Sequence, residues 1–236
     1  MIIIADNRIN ASALSSLSAI SENVLLMPAA DYLQKGVASH PDMLLFIGFE
    51  HIFCHRRYFD KNSELIERIS AHTDYEICIS DEQTDEKYPH DVLFNAFILG
   101  HRLICNTKTV SKLILDFAEK YDHDIVHVSQ GYAKCSVAVV SDNAIITSDK
   151  AISSTCANLG IDVLTISEGH IFLPPYDYGF IGGTCGVYED KIYFCGSIEK
   201  LPDAMSIKEF CRKHGKTAIS LSLDALQDVG SLFFIN

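Results

Sequence analysis

The residue types best suited to chemistry are concentrated between Glu168 and Val187, in the segment EGHIFLPPYDYGFIGGTCGV. This segment contains His170, Asp177 and Cys185 together with two prolines and several glycines. A cysteine beside a histidine or a cation can ionise to a thiolate and act as a nucleophile, and the histidine can serve as its general base. The segment therefore indicates a candidate site for thiol chemistry, with Cys185 as nucleophile and His170 as base.

Three apolar runs are preceded by small polar or sulfur-containing residues. Cys135 precedes SVAVV, Cys185 precedes GVY and Ser231 precedes LFFI. If these runs are equivalent strands of a repeat, the three side chains converge, with Lys134 beside them. Cys135 is then a second candidate nucleophile, and Lys134 and Ser231 are candidate substrate contacts. The alternative is that each is a small residue that fits a crowded strand start.

Two carboxylates on the connections between these runs could hold a positively charged group. Asp177 and Asp228 are acceptors suited to a guanidinium or similar cation, and the neighbouring Tyr178 joins them as a candidate substrate contact. Loop aspartates also cap turns, and a loop histidine such as His170 also bonds to the backbone, so a purely structural role stays open for each of them.

The sequence predicts neither a metal site nor a cofactor. His51, Cys54 and His55 resemble a metal-ligand cluster, but residues 51 and 54 point to opposite faces of a strand and no fourth ligand is near. The chain also lacks the glycine-rich signatures of dinucleotide and nucleotide phosphate binding.

Composition and charge limit the partners. The net charge of −12 disfavours binding to nucleic acid or to anionic membranes. The apolar start MIII is too short for a signal peptide, and no pair of the eight cysteines has C-x-x-C spacing. We therefore expect a reduced, cytoplasmic chain whose partner is at most a small molecule, with the oligomeric state left open.

The elements that must position these residues form a repeat. The order strand, turn, strand, helix, strand occurs four times, with turns near residues 49, 101, 142 and 190. A fixed period of roughly 40 to 50 residues is typical of propellers and solenoids. Helices are predicted at four places in these units, at 58–71, 108–120, 150–159 and 205–214.

The two ends of the chain supply the missing pieces of a fifth unit. Met1–Ala5 has no partner strand before it but is followed by a helix from Asn10 to Ile20 and a strand, whereas Leu232–Ile235 has no partner strand after it. Pairing of the terminal strands would complete the unit and close a ring without an exposed edge. The α+β prediction is a five-bladed ββαβ propeller in one domain, residues 1–236. The competing interpretation is an open doubly wound sheet.

Five ββαβ units in a ring resemble the pentein, or guanidine-modifying-enzyme, β/α-propellers. The segments QGYAKCSVAVV, GIDVLTISEGHIFLPPYDYGFIGGTCG and LQDVGSLFFIN are similar to an uncharacterised bacterial domain family assigned to this fold. The resemblance covers about Asn106–Asn236 and is weak over the N-terminal ~90 residues. It implies the fold, but that family has no established activity.

The resemblance implies two classes of function. The enzymes of the fold use a cysteine nucleophile near the C-terminus, whereas this chain has Ser231 there. A non-catalytic branch includes the ribosome anti-association factor. The first hypothesis is a Cys-dependent hydrolase or transferase for a small guanidino- or amidino-type compound. The alternative is a non-catalytic ligand-binding or interaction protein, so enzymatic activity stays open.

Overall fold

The computed structural model describes residues 1–236 and contains five separate three-stranded sheets. The strands in chain order are β1 (Ile2–Asp6), β2 (Val24–Met27), β3 (Leu45–Gly48), β4 (His51–His55), β5 (Glu76–Ser80), β6 (Phe97–Leu99), β7 (Arg102–Cys105), β8 (Asp124–His127), β9 (Val137–Ser141), β10 (Ala144–Thr147), β11 (Asp162–Thr165), β12 (Cys185–Tyr188), β13 (Lys191–Phe194), β14 (Thr217–Ser220) and β15 (Phe233–Ile235). The sheet orders are β3-β4-β5, β6-β7-β8, β9-β10-β11, β12-β13-β14 and β15-β1-β2. The open doubly wound alternative is therefore wrong.

Every sheet has the same construction. Its first two strands are antiparallel, and the third lies parallel to the second. A helix makes each parallel connection, because parallel neighbours need a crossover. The helices are α1 (Ala11–Ile20), α2 (Pro41–Leu44), α3 (Arg56–Thr73), α4 (Lys112–Lys120), α5 (Lys150–Asn158) and α6 (Ala204–Lys213), of which the single-turn α2 instead leads into β3.

The fifth sheet is built from both ends of the chain. β15 pairs antiparallel with β1, so that Ile2 lies opposite Ile235 and Ile4 opposite Phe233. This pairing uses backbone groups that two unpaired terminal strands would leave exposed. The predicted five ββαβ units, closed by the terminal strands, are confirmed.

Hydrogen bonds from backbone amides to capping side chains set where the helices begin. Asn10 accepts a hydrogen bond from the amide of Ala13 at 2.8 Å, and Asp149 accepts one from the amide of Ala151 at 2.9 Å. The predicted start of the third helix at Lys108 is wrong. The side chain of Asn106 accepts from the amide of Lys108 and forms a separate turn, so that α4 begins only after Ser111.

The core lies between the helices and the sheets. Each crossover helix has at least one large apolar side chain that is fully buried: Leu17, Ile66, Ile114, Ile152 and Ile207. Full burial of such a side chain contributes about 1.5 to 3 kcal/mol. Cys211 is also fully buried on α6, and all eight cysteines are free thiols. No helix combines the length and the apolar character needed to cross a membrane.

Candidate functional site

Segments from all five blades meet in the middle of the ring, just before the inner strands β3, β6, β9, β12 and β15. The residues two positions before the starts of β6, β9, β12 and β15 are, in that order, Asn95, Cys135, Gly183 and Ser231. Cys185 is itself the first residue of β12. The predicted equivalence of Cys185 with Cys135 and Ser231 is therefore wrong, because β12 begins one residue earlier than the sequence pattern indicated and β9 and β15 each begin one residue later.

Asp42 links two of these positions. It lies in α2, the turn before β3, and is fully buried. The thiol of Cys135 donates to its Oδ1 at 3.2 Å, and the hydroxyl of Ser231 donates to its Oδ2 at 2.6 Å. Lys134 Nζ in turn donates to Ser231 Oγ at 2.8 Å. We refer to Asp42, Asn95, Lys134, Cys135 and Ser231 as the central polar layer.

Asn95 holds Cys135 from the other side. Its side-chain oxygen accepts from the amides of Lys134 at 2.8 Å and Cys135 at 3.2 Å, and its Nδ2 lies 3.0 Å from Cys135 Sγ. The amide also donates to the carbonyl of Asp42 at 3.1 Å. A single buried side chain thus positions both the backbone and the sulfur of Cys135.

His40 lies beside this layer, between two carboxylates. Its Nδ1 is 3.8 Å from Asp228 Oδ1 and its Nε2 is 3.6 Å from Asp6 Oδ2. The side chain is 1% exposed, and neither ring nitrogen has a hydrogen-bond partner. A buried imidazole without partners is uncommon, so both nitrogens are available to a bound molecule or to proton transfer.

The close approach of the Asp228 carboxylate explains why a glycine occupies position 183, within the segment Glu168–Val187. Asp228 Oδ2 accepts from the amide of Phe180 at 2.8 Å, and its Oδ1 accepts from the amide of Gly230 at 3.0 Å. A Cβ on Gly183 would lie 1.9 Å from Asp228 Oδ1, so any side chain there would collide with the carboxylate. Ser231 follows with φ +71°, a left-handed conformation that is strained for a residue with a side chain.

A pocket opens onto one side of the central polar layer. It has a volume of about 520 Å³, and His40, Cys135 and Asp228 line it. Asp177 is exposed and lines it as well. Four aromatic side chains complete the wall: Tyr132, Tyr176, Tyr178 and Phe180. We call this cavity the mouth pocket.

A second cavity, of about 340 Å³, runs between the inner strands of all five blades. We call it the central channel. Lys134 and Cys185 line this channel, whereas Cys135 lines the mouth pocket. The neighbouring residues Lys134 and Cys135 therefore face different cavities.

The structure brings together only some of the predicted site residues. Cys135, Asp177, Tyr178 and Asp228 line the mouth pocket, and Lys134 contacts Ser231. His170 is exposed and lines neither the mouth pocket nor the central channel. The structure gives no support to the pairing of His170 with Cys185.

Both candidate thiols are kept in the protonated form. Burial raises the pKa of the Cys135 thiol well above its usual value, and the carboxylates of Asp42 and Asp228 raise it further, against the hydrogen bond from Asn95. Burial raises the pKa of Cys185 to about 12, with the Lys134 ammonium acting in the opposite direction. The Cys185 thiol lies 3.6 Å from the carbonyl of Ile181. Because the pKa of the Cys135 thiol is raised, a bound cation would be needed to favour its thiolate form.

The same cluster has donor atoms suited to a metal ion. His40, Asp42 and Cys135 each offer one such atom, and these atoms lie within 4.8 Å of one another. Nitrogen, oxygen and thiolate sulfur are the ligands that Zn²⁺ accepts. The absence of a metal site stays a prediction.

Sequence reasoning missed His40, Asp42, Asn95 and Asp6. All four lie in the first 95 residues, outside the range Asn106–Asn236 whose segments carry the resemblance described above, and no motif marks them. Asn95 could have been found by counting two residues back from each inner strand, but the apolar run from Val92 to Ile98 predicts a strand that starts at Val92, whereas β6 starts at Phe97.

Comparison with known proteins gives a family and a fold. A family model described as "Family of unknown function (DUF6873)" matches residues 4–233. No curated protein matches the chain.

Solved structures of similar shape include three enzymes. A dimethylarginine dimethylaminohydrolase (DDAH) from Pseudomonas aeruginosa, complexed with citrulline, is 10% identical, with a TM-score of 0.61 over 94% of this chain and 91% of that chain. The N-terminal domain of ArgZ, a cyanobacterial arginine dihydrolase bound to substrate, is 12% identical, with a TM-score of 0.58 over 92% and 80%. The C. jejuni agmatine deiminase is 9% identical, with a TM-score of 0.51 over 93% and 75%. These likenesses confirm the pentein-type fold.

Proposed function

Since the chain belongs to the DUF6873 family of unknown function, we propose its activity from its site: the mouth pocket binds a small guanidino- or amidino-type cation, and Cys135 attacks that ligand. The observation that carries this proposal is that one pocket is lined by a thiol, an unpartnered imidazole and a buried carboxylate, those of Cys135, His40 and Asp228. The solved structures of similar fold include enzymes named for dimethylarginine, arginine and agmatine.

The lining of the mouth pocket suits a planar cation. Asp228 and Asp177 provide carboxylates, and no lysine or arginine lines the pocket. The aromatic side chains provide π faces, over which a planar cation is attracted electrostatically. Without a lysine or arginine to pair with a carboxylate, the pocket favours guanidino compounds that carry no acidic group.

Binding of the cation also prepares the nucleophile. A positive charge in the mouth pocket, beside Asp228, would offset the two carboxylates, Asp42 and Asp228, that raise the pKa of Cys135. The thiol proton has an acceptor in place, because Cys135 already donates to Asp42 Oδ1. Ligand binding and thiol activation are therefore coupled in this proposal.

The reaction then proceeds in two steps. The Cys135 thiolate attacks the central carbon of the amidino group, and the bond from this carbon to the leaving nitrogen breaks. The leaving amine takes up the proton that Asp42 accepted from the thiol, relayed by His40, whose donor atom lies within 4.8 Å of those of Asp42 and Cys135. Water then attacks the same carbon, a carbonyl product leaves, and the sulfur regains its proton. No oxidant or second substrate is required.

Non-catalytic binding is the second candidate, and the raised pKa of Cys135 favours it. A thiol that stays protonated after the ligand binds would leave a receptor for the same cation. Binding and turnover must therefore be measured separately.

The test uses methylguanidine, acetamidine and agmatine as ligands, with calorimetry for binding and release of ammonia or amine for turnover. Cys135→Ser is expected to abolish turnover and keep binding, whereas the matched variant Cys185→Ser is expected to keep both. Turnover by Cys135→Ser would contradict the nucleophile. Binding without turnover by the unmodified protein would favour the receptor, and no binding of any of the three ligands would reject both functions.

A further inference from the structure

The central channel has features of a ligand site that the proposed chemistry does not use. Its apolar wall has a contribution from every blade: Phe46, Phe97, Val139, Val187 and Phe233. Its volume of about 340 Å³ falls in the range of small-molecule pockets. An apolar cavity of this size can enclose an apolar ligand.

The charges at the two ends of the channel determine the charge of the ligand that it can bind. Lys134 reaches into it from the central polar layer, and the only hydrogen bond of its ammonium group is to Ser231 Oγ. This ammonium forms no ion pair with any carboxylate of the chain. Two of its three N–H groups are therefore free to bind an anion.

The outer end of the channel carries no excess of positive charge. Ser141, Asp142 and Lys216 line that end, and Lys216 Nζ already donates to the carbonyl of Glu189. Asp142 is the one carboxylate that lines the channel, so Lys216 shares its end with a negative charge. Lys134 lies at the inner end, which no carboxylate lines, and apolar side chains lie between. The chain as a whole has a net charge of −12, so the inner end of the channel is a locally positive site in an acidic protein.

We propose that the central channel is a second ligand site, which takes a small apolar carboxylate with its head group at Lys134 and its apolar chain along the inner strands. A strand rises about 3.3 Å per residue, so the four residues of an inner strand such as β12 extend about 13 Å. That length accommodates a medium-length linear chain. An apolar amine of the same length, bound in the same orientation, would place its cation beside Lys134 and is disfavoured.

This site is independent of the proposed chemistry at Cys135. The channel and the mouth pocket lie on different sides of the central polar layer, and Cys135 does not line the channel. The carboxylate site can therefore exist whether or not Cys135 is a nucleophile, and Cys135→Ser is expected to bind the carboxylate normally.

The test is a calorimetric titration with octanoate and, separately, with octylamine. Octanoate is expected to bind and octylamine is not. Lys134→Met should weaken octanoate binding at least about tenfold, while Lys112→Met, which removes a surface cation from α4, should leave it within about twofold. Lys134→Arg retains the charge and should bind, and Val139→Trp should block binding by filling the channel.

Three results would overturn the proposal. They are equal affinity of Lys134→Met and the unmodified protein for octanoate, normal binding by a folded Val139→Trp, and the absence of octanoate binding to the unmodified protein. If Lys134→Met does not fold, Val139→Trp and the comparison of octanoate with octylamine still decide the question, because they test the apolar wall and the head-group charge separately.

Discussion

The Cys135 thiol donates a hydrogen bond to the carboxylate of Asp42, with Sγ 3.2 Å from Oδ1. These residues are 93 positions apart in sequence and belong to segments that precede different blades. A thiol held by a carboxylate resists ionisation, because the thiolate would lose the hydrogen bond and face a like charge. This pair therefore controls how reactive the mouth pocket is.

Replacement of Asp42 by asparagine is expected to increase the reactivity of Cys135. The Asp42 charge and its hydrogen bond both raise the pKa of the thiol, so that their removal lowers this pKa and increases the thiolate fraction at a given pH. We expect the alkylation rate by iodoacetamide at pH 8 to rise about tenfold, equivalent to one pKa unit. Peptide mass spectrometry would measure the rate for Cys135 alone. Asp177→Asn, which removes an exposed carboxylate, is the control, and equal rates in both variants would contradict the prediction.

Gly183→Ala is expected to destabilise the protein through a steric clash with Asp228. The added Cβ would lie 1.9 Å from Asp228 Oδ1, and overpacking of this kind costs about 1 to 3 kcal/mol. Gly160→Ala is the matched comparison. Gly160 has φ +77° and nothing within 4 Å of the added Cβ, so its cost of about 1 kcal/mol is conformational. Urea unfolding measures both, and a smaller loss for Gly183→Ala than for Gly160→Ala would refute the clash.

Asp228→Asn is expected to flatten the dependence of stability on pH. Burial raises the pKa of Asp228, so the folded protein retains this proton at a pH where the unfolded chain has released it. The stability contributed by this group therefore falls as the pH rises above the unfolded value of about 3.9, and levels off above the folded pKa. The neutral asparagine should lack this decline in urea midpoints measured from pH 4 to 7. Parallel curves for Asp228→Asn and the unmodified protein would be inconsistent with a raised pKa.

Tyr178→Ala is expected to weaken binding of methylguanidine in the mouth pocket. Tyr178 is 38% exposed and lines that pocket, and a cation over an aromatic ring at such a site gains about 0.5 to 1 kcal/mol, or roughly a two- to fivefold change in affinity. Leu223→Ala is the control, since Leu223 is 85% exposed and lines neither the mouth pocket nor the central channel. Calorimetry distinguishes the two, and an unchanged affinity in Tyr178→Ala would show that this ring does not face the ligand.

The architecture was predictable because it repeats. Alternating apolar runs, turns and amphipathic helices recur in the sequence, and local rules are sufficient to identify them. The pairing of Met1–Ala5 with Leu232–Ile235 followed from the two incomplete units at the ends of the chain, and β15 does pair with β1. Candidate residues after Asn106, such as Cys135 and Asp228, were also identified from their positions relative to the strands.

The sequence by itself thus determined the blades, the closure of the ring and half of the candidate site. Only the tertiary structure decided which side chains meet. It placed Cys185 in the channel wall and His170 at the surface, and it brought His40 and Asp42 to Cys135. The physical reason is that strand and helix patterns arise from local spacing, whereas contacts across a closed ring join residues that are distant in sequence, and a shift of one or two residues in a strand start moves a side chain to another cavity.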